Sequence, residues 1–118
     1  MGIEQGDIYW VTLRGEGSII TGRRPCIVMS RLAVNNAGTT VVIVPMTTQG
    51  TPNPYYRISL PPGEILRDIA SASKLMSIAK CDHARVIDKS LLESKIGKLT
   101  QTATIAVGLG LAYVFDLR

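Results

Sequence analysis

Three short polar clusters sit at the ends of apolar, strand-like runs, and their residue types are those of a site that handles phosphate. They are Arg23-Arg24 ahead of Pro25 and the run CIVMS, Thr47-Thr48 after TTVVIVPM, and Lys80-Cys81-Asp82-His83 with Arg85 after SIA. A guanidinium stays charged at any relevant pH and its planar fork can bond two oxygens of one phosphate, which gives Arg24 the anion-binding role. The hydroxyls of Thr47 and Thr48 can donate to a phosphate oxygen but cannot act as bases near neutral pH, so theirs is a positioning role. Asp82 stands between Lys80 and Arg85, cations that keep a carboxylate ionised and able to accept a proton. His83 is the one histidine of the chain, with a reference pKa in the physiological range. Each group also has a plainer reading. The arginines could form a solvated pair in a surface turn, the threonines could shape the turn itself, and Asp82 could be a salt-bridged loop carboxylate.

Such clusters need strands to hold them. Asp7 to Leu13 is rich in aromatic and β-branched residues and runs into Arg14-Gly15-Glu16-Gly17-Ser18, so it reads as a strand followed by a loop that leads to the arginine pair. Pro25 to Ser30 is a nearly continuous apolar run, the pattern of a strand covered on both faces. Asn35-Asn36-Ala37-Gly38 carries a turn signal, and Thr39 to Met46 is a second β-branched run that stops at Thr47-Thr48. Tyr55 to Leu60, set between prolines, suits an edge hairpin. Glu64 to Met76 is ambiguous between helical turn and loop. Ser77 to Ala79 and Ala84 to Ile87 read as short strands flanking the Asp82 cluster, and Asp88 to Leu92 as a helical turn. Thr100 is a credible N-cap for a helix from Gln101 to about Val114. That helix is apolar almost all round in its second half, so more than one side must be covered, by the core or by a second subunit. Gly108 and Gly110 within it imply close backbone approach.

The chain of 118 residues fits a single domain, 1–118, with one modest core. Thirteen Lys and Arg against nine Asp and Glu give a formal charge of +4 and an isoelectric point near 9.3, which suits an anionic partner and is also within the range that solubility alone requires. The two cysteines are too few and too far apart for a disulfide framework, and no Cys/His spacing matches a zinc site, so no metal or other cofactor is expected. Cys26 is expected to pack as a small hydrophobe and Cys81 to be partly exposed. The N-terminus lacks a basic region followed by an apolar stretch, and the apolar run from Ala103 to Phe115 is shorter than the roughly 20 residues that span a bilayer. A soluble cytoplasmic protein with no membrane association is the expectation.

Taken in order, the clusters resemble the MazF/PemK/Kid family of toxin endoribonucleases, whose pattern runs GDI-W-V, then RRP before a strand, then a Thr-Ser or Thr-Thr pair, then RCDQ-R-ID. Here those positions read Gly6-Asp7-Ile8-Tyr9-Trp10-Val11, Arg23-Arg24-Pro25, Pro45-Met46-Thr47-Thr48-Gln49 and Lys80-Cys81-Asp82-His83-Ala84-Arg85-Val86-Ile87-Asp88. The resemblance implies a mainly β (α+β) fold, a small SH3-like antiparallel barrel with a C-terminal helix, usually as a homodimer. It implies metal-independent cleavage of single-stranded RNA to 2′,3′-cyclic phosphate and 5′-hydroxyl ends, with a cognate antitoxin as partner. By register it places Arg24, Thr47 and Asp82 as catalytic residues, and Arg23, Thr48, Lys80, His83, Arg85 and Glu16 as RNA contacts. Arg14, Arg31, Arg57 and Lys74 would add phosphate contacts, with Trp10, Tyr55 and Tyr56 for base stacking.

Three departures from the family pattern matter. Lys80 replaces an Arg, keeping charge without the fork. His83 stands where Gln is common, which favours a structural or RNA-contacting role over proton transfer. Members that carry Glu five residues before the key Arg have their counterpart here in Ile19, with Glu16 three residues upstream as an alternative acid or base, Asp82 being the favoured one. Two rival readings remain open. A CcdB-like gyrase-inhibiting toxin would share the fold without the Arg-Thr-Asp set, and its Trp-Gly-Ile tail is unlike Val114-Phe115-Asp116-Leu117-Arg118. A noncatalytic SH3-like RNA-binding module would use the same cations passively.

Overall fold

The computed structural model describes residues 2–67 and 77–117. Strands β1 (Asp7–Leu13), β2 (Gly22–Val28) and β3 (Thr40–Thr47) form its centre, followed by β4 (Arg57–Leu60), β5 (Ile65–Arg67), β6 (Ser77–Lys80), β7 (Arg85–Asp88) and β8 (Lys95–Leu99). All ladders are antiparallel, in the order β4-β6-β3-β2-β1-β8-β5, with β7 on β3. The expected α+β class holds, but the sheet is open rather than a closed barrel: among the described residues no ladder joins β4 to β5.

Apolar residues on both faces of the central strands explain why the sheet bends around two cores. In β2, Ile27 joins the cluster with Ile8, Val44, Met46, Leu60 and Val107, while its neighbours Cys26 and Val28 join Val11, Leu13, Val41 and Ile43 on the opposite face. Alternation along a pleated strand sends successive side chains to opposite faces, so a run with no polar member is buried twice. Cys26 packs as expected. Cys81 does not: it is fully buried, because its sulfur is enclosed against the helix.

That helix, α2 (Gln101–Val114), starts where Thr100 accepts a hydrogen bond from the Ala103 amide at 3.1 Å, while the Thr100 hydroxyl donates to Glu64. Within the chain only a narrow stripe is buried, at Ala103, Val107 and Gly110. Ile105, Leu109, Tyr113 and Phe115 are left exposed. Gly110 allows the close approach: a Cβ there would lie 2.7 Å from Cys81 Sγ, whereas one on Gly108 would meet only Met29 Cε at 3.9 Å.

Two expectations are corrected. Residues 35–38 do not form a turn; they end the short helix α1 (Leu32–Ala37), in which Asn35 is buried and donates to the carbonyls of Ile3 and Ser30. The polarity read as a turn is the anchor of a helix. Tyr55 and Tyr56 precede β4 in a turn closed by reciprocal Asn53–Arg57 backbone bonds of 2.9 Å. Strand β8 had no counterpart among the expectations, and part of the ambiguous stretch 64–76, with Lys74, lies outside the described residues.

Pro45 decides where the Asp82 segment goes. Val42 N–H points to the β2 side, bonding Ser30 Oγ, so by alternation Ile43 and Pro45 face β6 and β7. Proline has no N–H to offer that ladder. Beside it the β3–β6 ladder stops at Met46 with Ala79, and β7 resumes pairing with β3 at Ile43 with Arg85. The bypass contains the 3-10 turn Cys81–His83.

Candidate active site

The polar clusters named from the sequence fall into two neighbouring concavities. Arg23, Arg24, Thr47 and Thr48 line a small one of about 120 Å³, placed by the ends of β2 and β3. Lys80, Asp82, His83 and Arg85 line a larger one of about 810 Å³, with Arg14, Ser18, Ile19, Arg57 and Ala84. They are linked through β3 and β6, where Thr47 pairs with Ile78 and Met46 with Ala79, the residue before Lys80, and the charge of Arg24 reaches Lys80.

Within the first group the two arginines differ. Arg23 is engaged, its Nε 2.8 Å from Glu93 and its guanidinium 4.4 Å from the centre of the Trp10 ring. Arg24 uses Nε to donate to the Thr21 carbonyl at 2.7 Å, which aims the fork while leaving its terminal nitrogens without a hydrogen-bond partner among the described residues. Gly22, at φ +91° with open space about its Cα, provides the left-handed step that starts this strand. Thr47 accepts from the Gln49 amide at 3.1 Å, fixing the oxygen at the strand end.

In the second group Asp82 does not sit between Lys80 and Arg85 as expected. Its Oδ2 pairs with Arg57 Nη2 at 2.9 Å. Burial works to raise its pKa, but the hydrogen bond and charge of Arg57 outweigh it and hold the carboxyl below its ordinary value. Arg85 instead braces the loop after β1, donating to the carbonyls of Arg14 at 2.8 Å and Ile20 at 2.9 Å. His83 Nδ1 accepts from the Ile20 amide at 3.0 Å, which puts the proton of the neutral ring on Nε2, 3.9 Å from Asp82. Burial, then the charge of Lys80, depresses the His83 pKa against the opposing pull of Asp82. Lys80 is lowered as well, by burial first and then by Arg57 and Arg24. Positive charges crowd this cavity, and an anion would relieve them.

Glu16 is on the exposed crest of the braced loop and lines neither concavity. Arg31 is exposed at the start of α1. Trp10 is covered by Arg23, and Tyr55 stacks on Tyr113 with ring centroids 5.1 Å apart. Sequence reasoning did not assign Arg57 its place against Asp82; that depends on the β4–β6 register, in which Arg57 lies opposite Lys80. Among the described residues no group of three His, Cys, Asp or Glu could hold a metal ion, and no helix is long and apolar enough to cross a membrane.

A family model described as "PemK-like, MazF-like toxin of type II toxin-antitoxin system" matches residues 4–115. The chain belongs to the PemK/MazF toxin family. No curated protein matches it, but solved structures of PemK/MazF-type toxins share its fold. MazF from Deinococcus radiodurans superposes with a TM-score of 0.80 at 20% identity, covering 99% of both chains. The Mycobacterium tuberculosis toxin MazF-mt6 gives 0.73 at 21% identity over 95% of this chain and 98% of that one. An endoribonuclease in complex with its cognate antitoxin, from a mycobacterial species, gives 0.67 at 20% identity over 98% and 96%. The PemK/MazF fold thus survives with about four residues in five changed.

Proposed function

We propose that this toxin is a metal-independent endoribonuclease that cleaves single-stranded RNA such as mRNA. What supports the reading is a pair of concavities, one lined by Arg23, Arg24, Thr47 and Thr48 and the other by Lys80, Asp82, His83 and Arg85. The charge of Arg24 is felt at Lys80, and Asp82 is held ionised by Arg57. The structures it resembles include one named as an endoribonuclease, which supports the same class. Asp82 takes the proton from a 2′-hydroxyl, the 2′-oxygen attacks phosphorus, and the bond to the 5′-oxygen breaks, leaving a 2′,3′-cyclic phosphate and a 5′-hydroxyl. Arg24 and Thr47 stabilise charge on the phosphoryl oxygens as it develops. Lys80, its ammonium made more acidic by burial and the neighbouring guanidinia, supplies a proton to the departing oxygen. Arg23, Thr48, His83 and Arg85 shape the surrounding RNA surface. Asp82, with its depressed pKa, remains a carboxylate well below neutral pH; it is a weak base used at short range.

The toxin works in the cytoplasm as a homodimer held in check by an antitoxin. Solved MazE-MazF complexes from Deinococcus radiodurans support such a partner, and the exposed apolar face of α2 supports a two-fold contact. The test is incubation of purified protein with a long RNA in excess EDTA, followed by mapping of the ends. Cleavage is expected to persist and to fall at least about a hundredfold in Arg24→Ala, as for loss of one transition-state charge contact. A requirement for added Mg²⁺ or Mn²⁺ rejects the mechanism, and RNA binding with no cleavage identifies a passive binding module.

A further inference from the structure

Lys80 brings an ammonium rather than a guanidinium to the cavity, and the next strand supplies a guanidinium beside it. Arg57 of β4 lies directly opposite Lys80 in the β4–β6 ladder. Its Nη2 donates to Asp82 Oδ2 at 2.9 Å, and its buried Nε has no acceptor among the described residues, so within them the carboxylate is the group that holds the guanidinium. The backbone closes the arrangement. Cys81 N–H donates to the Tyr56 carbonyl at 3.0 Å, tying the residue before Asp82 to the residue before Arg57. The Arg57 guanidinium also stands 5.8 Å from the centre of the Tyr56 ring. Two consecutive backbone positions on each side are therefore locked together, and the ion pair is the outward end of that lock. An Arg brought to its carboxylate by ladder register needs no loop to find it.

We propose that Arg57 is the positioning residue of the cleavage reaction: it orients Asp82 and keeps it in the proton-accepting form, a role distinct from the RNA contact that its charge alone suggests. This rests on the endoribonuclease reading above. The guanidinium acts through Asp82 and contacts no reacting atom. A base must be unprotonated to work, so activity fails as pH falls through the Asp82 titration. Removing Arg57 moves that failure to higher pH. Lys at the same position restores charge without the fork and falls between.

The experiment follows two quantities in wild type, Arg57→Gln and Arg57→Lys: the acid limb of kcat/KM for RNA cleavage, and the titration of the Asp82 side-chain carboxyl by carbon-13 NMR, which needs no turnover. Both midpoints are expected to rise together in Arg57→Gln and to rise less in Arg57→Lys, with cleavage recovering only in part above the new midpoint because the carboxylate is no longer oriented. A merely structural role would lower cleavage at every pH and leave the limb in place. An unmoved carboxyl midpoint, or a midpoint that rises while the limb of an active enzyme stays, overturns the inference and leaves the endoribonuclease reading standing. Wild type that cuts no RNA removes that reading and this inference with it, whatever the carboxyl does. If Arg57→Gln fails to fold, Arg57→Lys alone carries the test, and an unshifted limb in it overturns the proposal.

Discussion

Gly108 and Gly110 lie two residues apart on α2, and replacing each by Ala is expected to change stability in opposite directions. Relative to glycine, alanine in a helix interior is favoured by about 1 kcal/mol. At Gly108 the new methyl meets only Met29 Cε at 3.9 Å, ordinary contact, so most of that gain should appear. At Gly110 it would lie 2.7 Å from Cys81 Sγ and 3.2 Å from Ile58 Cγ1. The sulfur is fully buried and points at the Val107 carbonyl at 3.6 Å, so it has no open space to turn into. Overpacking of this kind costs about 1–3 kcal/mol, which less the helix gain of about 1 kcal/mol leaves Gly110→Ala less stable by about 1 kcal/mol at the middle of that range. For a chain of this size that is a drop of roughly 3–6 °C in the melting temperature. Urea denaturation at one fixed protein concentration measures both variants without confounding by association. Adding Cys81→Ala to Gly110→Ala removes the sulfur and should return about 1 kcal/mol beyond the sum of the single effects. Because Asp82 follows Cys81, Gly110→Ala should also slow RNA cleavage, and the double variant should recover it. A Gly110→Ala protein as stable as wild type, or a double variant with no favourable coupling, would refute the packing argument.

Asp82→Asn should suppress cleavage while RNA binding survives, and His83→Gln should be much milder; the reverse order, measured as kcat/KM, would make His83 the base. Stability should fall on acidification below about pH 6.5, the ordinary histidine value: the His83 pKa is depressed in the fold, so the unfolded chain binds the proton more readily and protonation costs the bond from the Ile20 amide. Urea midpoints at pH 7.5 and 5.5 should differ in wild type and much less in His83→Gln, and an equal difference in both proteins assigns the effect elsewhere. By sedimentation at micromolar concentration the protein should exceed its monomer mass of 12.7 kDa. Leu109→Lys, at a side chain 67% exposed within the chain, should return it to monomer or aggregate. Leu111 is packed against the core, so Lys there would test folding rather than association, and a wild type already at monomer mass ends the dimer proposal.

What was legible in the sequence was what local chemistry dictates. The unbroken apolar run of β3, the Thr100 cap and the length of α2 are written in periodicity and capping, and these emerged nearly as expected. By contrast β2 starts at Gly22 rather than Pro25 and ends at Val28 rather than Ser30, so the arginine pair expected ahead of the strand lies inside its ladder with β1. Asn35 misled because a buried amide that ties three segments has the same composition as a turn. Cys81 misled because its exposure is set by Gly110, 29 positions away in sequence, and no local pattern reports such a contact. Strand β8 is short and interrupted by Gly97 and two lysines; it exists because β1 and β5 flank it. The site residues were nameable one by one. Their partners were not, since the Arg57–Asp82 pair and the bracing of the Arg14–Ile20 loop by Arg85 depend on strand register.

The contact between Gly110 and Cys81 also has a meaning in time. Arg24 and Thr47 are made early in synthesis, Arg57, Lys80 and Asp82 later, and α2, which backs the Asp82 turn, follows every other described element in the chain. A ribosome that has produced Arg24 and Thr47 has not yet produced the helix against which the Cys81–His83 turn packs. If the protein cuts RNA as proposed, the message from which it is being read is safe from the growing chain until α2 emerges, and translation itself serves as the first restraint on the toxin, before any antitoxin arrives.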